Sequence, residues 1–580
     1  MVTLEQDLAY NDAFDDRSYR VLLVSSSTLL RFSLPNFFKD SDIQVTVTDT
    51  VASAMTVLQH KSFDAIIAEI SPQGGEILQF RRQVRLIDDK IPLVFMTPLF
   101  YWSDAKLLDS IVEDPHSYYI PDNADRKFMV AKLHQVIASS QAENSLKQLQ
   151  NTINRNWFLA SLLQQAMLPP WVYFGDKYEF SCLYRPFTRV SGDLFEWLPL
   201  DEDRALFIFG DISGHGTHSA LAMTAVQSFL KQIILLDKRR AEHPCLIASD
   251  INEFFCSHLH NIVYMSTLIA YIDFKNNNIR YQNAGYLDMV CINAETGEYE
   301  NINPENRGSL PLGMVKNTVY TEADNVEYHF SDSSVFLIAS DGLADLAKDK
   351  NGNSFLDMEL FLKLASILVT ENRREDKAIT IPFRAYNSLE QFGYVYPQDD
   401  LSLVIIRKPP KLEKEYVFSC RVPVDKSAAD MICEKASNFV TKCYDSIELS
   451  TKVELLLEEY LVNVIMHGLN EYEKLNDHIA VKLCAYPEEL KLLVWDHGKE
   501  WNWLMMQPTS ADQKLDQLND GLIGNGRGLP IIAKIASQIS RQRYSGLNES
   551  IFVIPVPPQE TVKDPGQIEP QAAKQEQVGI

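Results

Sequence analysis

Four acidic residues in the middle of the chain stand beside glycines or at the ends of apolar runs. They are Asp193 in VSGDLFE, Asp211 in FGDISGHG, Asp341 in IASDGLAD and Asp399 in QDDLSLVIIR. The neighbouring runs predict buried strands that each bring an acid to a sheet edge, and the glycines let a carbonyl or a hydrated ion come close. Each of these motifs taken alone is more often an ordinary turn.

A cluster of carboxylates is costly without a cation. Two unit charges about 4 Å apart repel by about 4 kcal/mol at an effective dielectric constant of roughly 20. Carboxylate oxygens are hard ligands, which favour Mg²⁺ or Mn²⁺ over Zn²⁺. Two such ions together bind a phosphoryl group and produce a hydroxide nucleophile near neutral pH, so the cluster predicts phosphoryl chemistry.

The ordered set SGD, GDISGHG, SDG and DDLSLV resembles the PP2C-type phosphatases of the sporulation and general-stress-response branch in bacteria. The resemblance implies an α/β sandwich that dephosphorylates serine or threonine with two Mn²⁺ or Mg²⁺ ions. It implies that Asp211 bridges both ions, and that the Ile212 carbonyl and Asp193, through water, hold the second ion. Asp341 and Asp399 are implied as ligands of the first ion.

Some neighbouring residues depart from that family pattern or are not expected to bind. Asp400, next to Asp399, is not expected to be a ligand. Ser191 and Glu196 stand where the family more often has a glycine and an aspartate, and neither change removes a ligand. We interpret His215 as a packed turn histidine in preference to a general acid.

A second group of polar residues lies near the C-terminus. A predicted amphipathic helix carries Glu459 and Asn463 four residues apart, on one face. Taken alone, that face is more simply explained as solvated. The strand LKLLVW then leads into Asp496 and Gly498, and the Asp496 carboxylate can accept a hydrogen bond from an adenine amino group. A predicted apolar helix follows Gly524, Gly526 and Gly528. Backbone N–H groups at the N-terminus of such a helix can bind phosphates.

The order ExxxN, DxG, GxGxGL resembles the anti-sigma-factor serine kinases of the GHKL ATPase group. The resemblance implies that Asn463 coordinates the Mg²⁺ of a bound ATP and that Glu459 polarises the serine hydroxyl of a partner. Asp496 and Gly498 are implied at the adenine, and residues 499–523 as a lid. The three glycines are implied near the phosphates. A histidine kinase is disfavoured, because no phospho-accepting histidine helix precedes this region.

The first part of the chain alternates short apolar strands with helical patterns, which predicts a doubly wound parallel sheet. It resembles the response-regulator receiver domain, in which Thr97 matches the switch hydroxyl. Receivers have an acidic pair where Ser25 and Ser26 stand, and the phospho-accepting aspartate where Glu69 stands. Since Mg²⁺ then has few ligands, the resemblance implies a pseudo-receiver that is not phosphorylated. Two roles are equally open for this domain: Glu69 mimics a permanently activated state, or the domain is an inert docking domain.

A polar helix is predicted from about Ser139 to Leu168, ending at Pro169-Pro170. Its spacing of three and four residues, with one polar position, is typical of a short coiled coil. We call this set of positions the linker seam: Leu146, Leu149, Ile153, Asn156, Ala160, Leu163 and Met167. Two interpretations of this helix are equally open: it packs on its own domain, or it pairs with the same helix of a second copy in a homodimer. In the phosphatase family that the chain resembles, this helix is a regulatory switch.

The sequence thus predicts a multidomain α/β protein with a doubly wound receiver-like sheet, a PP2C-type α/β sandwich and a GHKL-type α/β sandwich. The predicted boundaries are an N-terminal arm at 1–18, the receiver-like domain at 19–139, the linker helix at 140–169, the phosphatase domain at 170–408, the ATPase domain at 411–557 and a disordered tail at 558–580.

Composition restricts the classes of partner and location. The net charge of -24 over 580 residues disfavours binding to a nucleic-acid backbone. We find no apolar run near the roughly 20 residues that cross a bilayer, and no signal peptide, so no membrane association is expected. The eight cysteines form no CxxC pair, which favours reduced thiols and a cytoplasmic location.

Together the resemblances imply a bacterial partner-switching regulator. The middle domain would dephosphorylate a STAS-type anti-sigma-factor antagonist. The C-terminal domain would phosphorylate the same partner with ATP, bind a sigma factor, or do both. The alternative is a phosphatase fused to a non-catalytic, ATP-binding anti-sigma interaction module.

Overall fold

The computed structural model describes residues 18–69, 75–97, 114–175, 177–214, 216–259, 262–285, 287–303, 309–352, 354–372, 377–409, 416–469, 477–500 and 528–557. These residues form two compact units, which meet in sequence between Asn156 and Trp157. Nearly all of the predicted N-terminal arm and lid, and the whole predicted tail, lie outside the described residues, as do Gly524, Gly526 and His215.

The first unit contains a parallel sheet of the strands β1 to β5 in the order β2-β1-β3-β4-β5. The strands are β1 Tyr19–Val24, β2 Ile43–Thr48, β3 Ala65–Glu69, β4 Leu93–Thr97 and β5 Ser117–Pro121, and the helices between them are α1 Thr28–Phe37, α2 Val51–His60 and α3 Gly75–Ile87. The central strands are apolar throughout, because side chains on both faces are buried. The predicted doubly wound architecture is confirmed.

A single helix of 42 residues, α4 (Arg126–Met167), runs through the predicted boundary at residue 139. The receiver-like domain and the linker helix are therefore continuous, since the chain has no glycine or proline between those ends to interrupt the helix. Leu146, Leu149 and Leu163 of the linker seam are 66%, 57% and 69% exposed. The homodimer remains a prediction.

The second unit begins with two antiparallel sheets packed face to face, in the orders β14-β11-β10-β9-β8 and β13-β12-β15-β16-β7-β6. Aromatic side chains such as Phe180, Phe207 and Phe336 fill the space between them. The strands are β6 Val172–Phe174, β7 Glu179–Arg185, β8 Asp193–Pro199, β9 Arg204–Ile212, β10 Met265–Asp273, β11 Asn278–Ala284, β12 Met289–Asn293, β13 Tyr299–Asn301, β14 Val326–His329, β15 Ser334–Ala339 and β16 Leu401–Arg407.

Two pairs of helices cover the outer faces of this sandwich. The first sheet is covered by α5 Thr217–Leu236 and α6 Pro244–His258. The second is covered by α7 Met358–Glu371 and α8 Ile381–Gln391. Helix α5 is also long and apolar enough to cross a membrane, contrary to the expectation that the sequence has no such run. Its buried residues, among them Met223 and Val226, pack on the sheet.

The region predicted as the ATPase domain forms a sheet in the order β17-β18-β19-β21-β20. Its elements are β17 Tyr416–Pro423, α9 Lys426–Tyr444, α10 Ile447–Asn463, β18 His478–Ala485, β19 Glu489–Asp496, α11 Gly528–Ile535, β20 Gln538–Tyr544 and β21 Leu547–Pro555. Alternate residues of β18, such as Ile479 and Val481, pack on α9 and α10. Those between them, such as Ala480 and Cys484, share a core with helices α7 and α8 of the preceding sandwich.

A buried ion triad crosses this contact between the two domains. Glu179 of the sandwich lies 2.8 Å from Arg407 and 3.1 Å from Lys482 of the C-terminal sheet, and all three side chains are 5% exposed or less. Burial alone would raise the pKa of Glu179, but the charges of Lys482 and Arg407 lower it to about 2. The two domains therefore neutralise each other's buried charges.

We predict that Glu179→Gln destabilises the second unit by about 3–5 kcal/mol, because it leaves Lys482 and Arg407 buried without a counter-charge. Urea unfolding followed by tryptophan fluorescence measures the loss. The matched control is Glu359→Gln, which breaks an exposed pair with Lys363 and should cost less than about 1 kcal/mol. Equal shifts for the two variants would contradict the buried triad.

Candidate functional site

The predicted acids lie at neighbouring strand ends of the two sheets. Asp193 begins β8 and Asp211 lies near the end of β9, and the antiparallel register places these two residues directly opposite each other. Asp341 follows the end of β15, and Asp399 precedes β16, the partner of β15. The hydroxyl of Ser402 on β16 donates to the Asp193 carboxylate at 2.6 Å, which ties the two sheets together at this end.

Two close backbone contacts bring the acidic loops together. A Cβ atom on Gly342 would lie 1.9 Å from the Asp400 carbonyl oxygen, so only glycine lets the loop of Asp341 approach the loop of Asp399. Likewise, a Cβ on Gly192 would lie 2.9 Å from the Ile212 carbonyl oxygen. That carbonyl, predicted as a ligand, therefore lies against the loop that leads to Asp193.

The acids raise one another's pKa values. Burial and then the charges of Asp341 and Asp399 raise the pKa of Asp211 to about 7. Burial and the charge of Asp211 raise the pKa of Asp193 well above its usual range. Burial and the charge of Asp399 raise the pKa of Asp341. A site in which carboxylates repel each other in this way favours a cation.

One buried atom at this site fits a metal centre. Asp193 Oδ1 is buried and has no hydrogen-bond partner, so it is an acceptor available to an ion or to water bound to an ion. In the part of the chain that the structure describes, no three His, Cys, Asp or Glu side chains are close enough together to enclose an ion by themselves. The ligand set therefore remains a prediction.

Asp400 has a structural role that distinguishes it from Asp399. Its buried carboxylate accepts the backbone N–H groups of Phe187 at 2.7 Å and Gly192 at 2.8 Å. These bonds hold the loop before Asp193 in place and occupy both carboxylate oxygens. The Asp399 side chain accepts only the neighbouring N–H of Asp400 among the hydrogen bonds described. The contrast agrees with Asp399 as the predicted ligand.

Gln164, near the end of α4, is a site residue that the motif analysis missed. Its side-chain amide donates to the Ser191 carbonyl at 2.7 Å and accepts the Ser191 N–H at 3.0 Å. Ser191 lies two residues before Asp193, so the helix is bonded directly to the candidate metal loop. The signal available in the sequence was a glutamine among apolar residues in LLQQAMLPP.

The candidate nucleotide site forms where α10 meets the end of β19. Gly468, after that helix, contacts Gly498, and its carbonyl accepts the Lys499 N–H at 2.8 Å. Glu459 and Asn463 are half-buried on α10. Asn463 Nδ2 is buried without a hydrogen-bond partner, which fits a polar ligand. Gly528 begins α11. The ExxxN and DxG motifs are therefore adjacent.

Asp496 is fully buried in a hydrogen-bond network that the sequence did not predict. Its carboxylate accepts the Tyr460 hydroxyl at 2.7 Å, the Gly498 N–H at 2.8 Å and the Asn548 amide at 2.8 Å. A carboxylate has about four acceptor positions, so one remains for an adenine amino group. Tyr460 and Asn548 hold the carboxylate in a fixed orientation.

In the receiver-like unit, the Glu69 carboxylate is bonded to serines at and beside the position where receivers have an acidic pair. The Ser25 hydroxyl donates to its carboxylate at 2.5 Å, and the Ser27 N–H donates at 3.3 Å. Ser25 itself is buried, with its backbone N–H bonded to Thr48. Glu69, predicted at the position of a receiver phospho-acceptor, is thus a carboxylate that accepts a hydrogen bond from Ser25, where receivers are expected to have an acid.

Comparison with known proteins identifies two of the three regions. Residues 201–409 match the family model of Stage II sporulation protein E (SpoIIE), and residues 424–553 match the histidine kinase-like ATPase domain. The chain thus contains a SpoIIE-type PP2C phosphatase domain followed by a histidine kinase-like ATPase domain. The family model of the phosphatase domain covers three of the four acidic motifs.

A curated relative is phosphoserine phosphatase RsbP of Bacillus subtilis, 22% identical over 179 residues. The match spans 30% of this chain and 41% of RsbP. The solved RsbU and RsbW domains from Mycobacterium tuberculosis are 16% identical with a TM-score of 0.36, covering 67% of this chain and 96% of theirs. The SiaA-PP2C domain of Pseudomonas aeruginosa is 20% identical with a TM-score of 0.37, covering 45% and 98%.

We predict that Asp211→Asn stabilises the metal-free protein at pH 8 by roughly 2–4 kcal/mol. Because folding raises the pKa of Asp211, the folded state favours the protonated form, and stability falls as pH rises from about 4 towards 7. An amide removes that loss, so the gain should vanish near pH 4. Thermal unfolding in EDTA at both pH values measures it. Asp288→Asn, an exposed control in the same domain, should show no such pH dependence; a similar gain there would contradict the buried cluster.

Proposed function

We propose that the middle domain is a metal-dependent phosphatase that removes phosphate from serine or threonine of a STAS-type anti-sigma-factor antagonist. The observation that supports the proposal is the placement of four acids at neighbouring strand ends, where the pKa values of Asp193, Asp211 and Asp341 are raised and one Asp193 oxygen has no hydrogen-bond partner. The charge balance there requires cations. Two Mn²⁺ or Mg²⁺ ions would supply a hydroxide nucleophile and neutralise the phosphoryl group.

The chain's own residues would hold this centre in a defined arrangement. Asp211 would bridge both ions, and the Ile212 carbonyl would bind the second. Asp193 would orient water on the second ion while the Ser402 hydroxyl restrains its other oxygen. Asp341 and Asp399 would hold the first ion. Because all five positions lie on strand ends or on loops braced by close glycine contacts, little reorganisation is needed at the site.

In the C-terminal domain, we infer a site for ATP with Mg²⁺. Asp496 would accept the adenine amino group beside Gly498, and Asn463 would coordinate the ion. Glu459, one helical turn before Asn463, would polarise the serine hydroxyl of the same STAS-type partner. Gly524, Gly526 and Gly528 would bind the phosphates. Opposed phosphatase and kinase activities on one partner make the chain a switch.

The alternative for the C-terminal domain is a non-catalytic ATP-binding module that binds a sigma factor or another anti-sigma partner. One observation favours it: three acceptor positions of Asp496 already hold the domain's own Tyr460, Gly498 and Asn548. Asp496 would therefore be needed for the fold even in a domain that transfers no phosphate. The free thiols of all eight cysteines fit our proposal of a cytoplasmic location.

We predict that the protein releases phosphate from a phosphoserine STAS protein with Mn²⁺ and without ATP. Asp211→Asn should lower kcat by about 100-fold or more, because several kcal/mol of transition-state stabilisation depend on the ions it holds. Phosphate release, measured against added EDTA, checks this expectation. Asp288→Asn should retain activity. Release that persists in EDTA, or in Asp211→Asn, would refute the proposed centre.

We predict that the Asp211→Asn protein, freed of phosphatase activity, transfers label from γ-labelled ATP to the unphosphorylated STAS partner. Glu459→Gln should abolish transfer while ATP still binds, since it removes only the base. Asn463→Ala should weaken binding of Mg²⁺-ATP itself. Label transfer and nucleotide titration separate these effects. Nucleotide binding without any label transfer would instead establish the non-catalytic alternative.

A further inference from the structure

A second buried carboxylate makes the contact between the phosphatase and the ATPase domain reciprocal. Glu549 of β21 is 2% exposed and accepts the Trp495 indole N–H at 3.1 Å. From the phosphatase side, Arg384 Nη2 lies at 3.3 Å and Lys377 Nζ at 3.9 Å from its carboxylate. Each domain therefore buries one acid that cations of the other domain neutralise, as Lys482 does for Glu179. A contact of this kind is specific, since an unpaired buried charge is costly.

This contact extends to the candidate nucleotide site through His497. His497 stands between Asp496 and Gly498, and its ring lies 5.1 Å from the ring of Trp171 and 5.8 Å from that of Phe383, both in the phosphatase domain. Trp171 also donates its indole N–H to the His478 carbonyl at 2.8 Å. The middle residue of the DxG motif is thus packed against phosphatase side chains.

Trp171 is also close in sequence to Gln164, the residue that holds the candidate metal loop. It follows Pro169-Pro170 directly after α4, and Gln164 of that helix is bonded to both backbone groups of Ser191. Only six residues therefore lie between the side chain that touches His497 and the side chain that holds the loop of Asp193. The two prolines restrict the backbone between them, so a displacement of Trp171 is not easily absorbed there.

We propose that an adenine nucleotide bound at Asp496 changes the turnover of the phosphatase centre in the same chain. Trp171 is the positioning residue that transmits the effect from His497 to the end of α4. The inference rests on the proposed function, which supplies both sites. Nucleotide binding restrains the backbone on both sides of His497, and the packed rings of Trp171 and Phe383 must adjust to it. Because linkage between two binding sites is reciprocal, a nucleotide that alters the affinity of the centre for its ions has its own affinity altered by those ions by the same factor.

The test measures hydrolysis of p-nitrophenyl phosphate by the full chain at saturating Mn²⁺, with and without a saturating non-hydrolysable ATP analogue. We expect the analogue to change kcat by about fivefold or more. Trp171→Phe removes the bond to the His478 carbonyl but keeps an aromatic ring. It should retain nucleotide binding and most basal hydrolysis while losing most of the response.

Trp197→Phe is the matched control, because Trp197 is buried among Tyr173, Tyr178 and Phe180 in the phosphatase core. Its buried indole nitrogen has no hydrogen-bond partner in the described structure, so the same substitution removes no such bond. Trp197→Phe should keep the full nucleotide response. An equal response in Trp171→Phe and the wild type would overturn the role of Trp171.

Binding of a fluorescent ADP derivative separates failure of this inference from failure of the proposed function. Binding without a change in kcat overturns the coupling and leaves both proposed sites intact. Absence of binding overturns the proposed nucleotide site, and the coupling with it. A response that survives in Asn463→Ala despite lost binding reflects sequestered Mn²⁺ and also overturns the coupling. Conversely, an about fivefold difference in nucleotide Kd between the wild type and Asp211→Asn, measured in Mn²⁺, supports it independently.

Discussion

Repulsion among the carboxylates at one end of the phosphatase sandwich is the constraint on which the rest of the structure depends. Asp193, Asp211, Asp341 and Asp399 come from two different sheets, and the cost of bringing them to one end appears as raised pKa values of the first three. The surrounding structure resists this repulsion. Gly342 permits the close approach, Asp400 holds the loop at Gly192, and Ser402 restrains Asp193. The packed aromatic core between the sheets supplies the stability that offsets the strain.

The same loop is also held from outside the sandwich, because Gln164 of α4 bonds to Ser191. The ATPase domain, in turn, packs on the phosphatase through two buried carboxylates with cations from the opposite domain. The central strands β18 and β19 are consequently buried on both faces. The residues of β18 therefore alternate between two cores, and neither face of this strand is exposed to solvent. This arrangement joins the two domains into one compact unit.

Much of this organisation could be predicted from local patterns. The alternation of short apolar runs with helical patterns predicted the doubly wound parallel sheet, since buried parallel strands must be apolar throughout. The motifs predicted which acids end strands, and the ExxxN and DxG motifs are indeed adjacent. The polar helix predicted to begin near Ser139 starts earlier, because a helix with no breaking residue extends from Arg126 to Met167. The search for an apolar run missed α5, whose polar residues are scattered among apolar ones.

The sequence by itself thus determined the local elements, the acids at strand ends and the glycines beside them, since these depend on residues close together in the chain. Only the tertiary structure decided which distant groups meet. Glu179 and Lys482 are 303 residues apart, and each alone is compatible with a solvated surface. Tyr460 and Asn548 bond to Asp496 only because β19 and β21 pair beside α10. Such contacts depend on the relative placement of whole sheets, which burial of their apolar faces determines and local sequence does not encode.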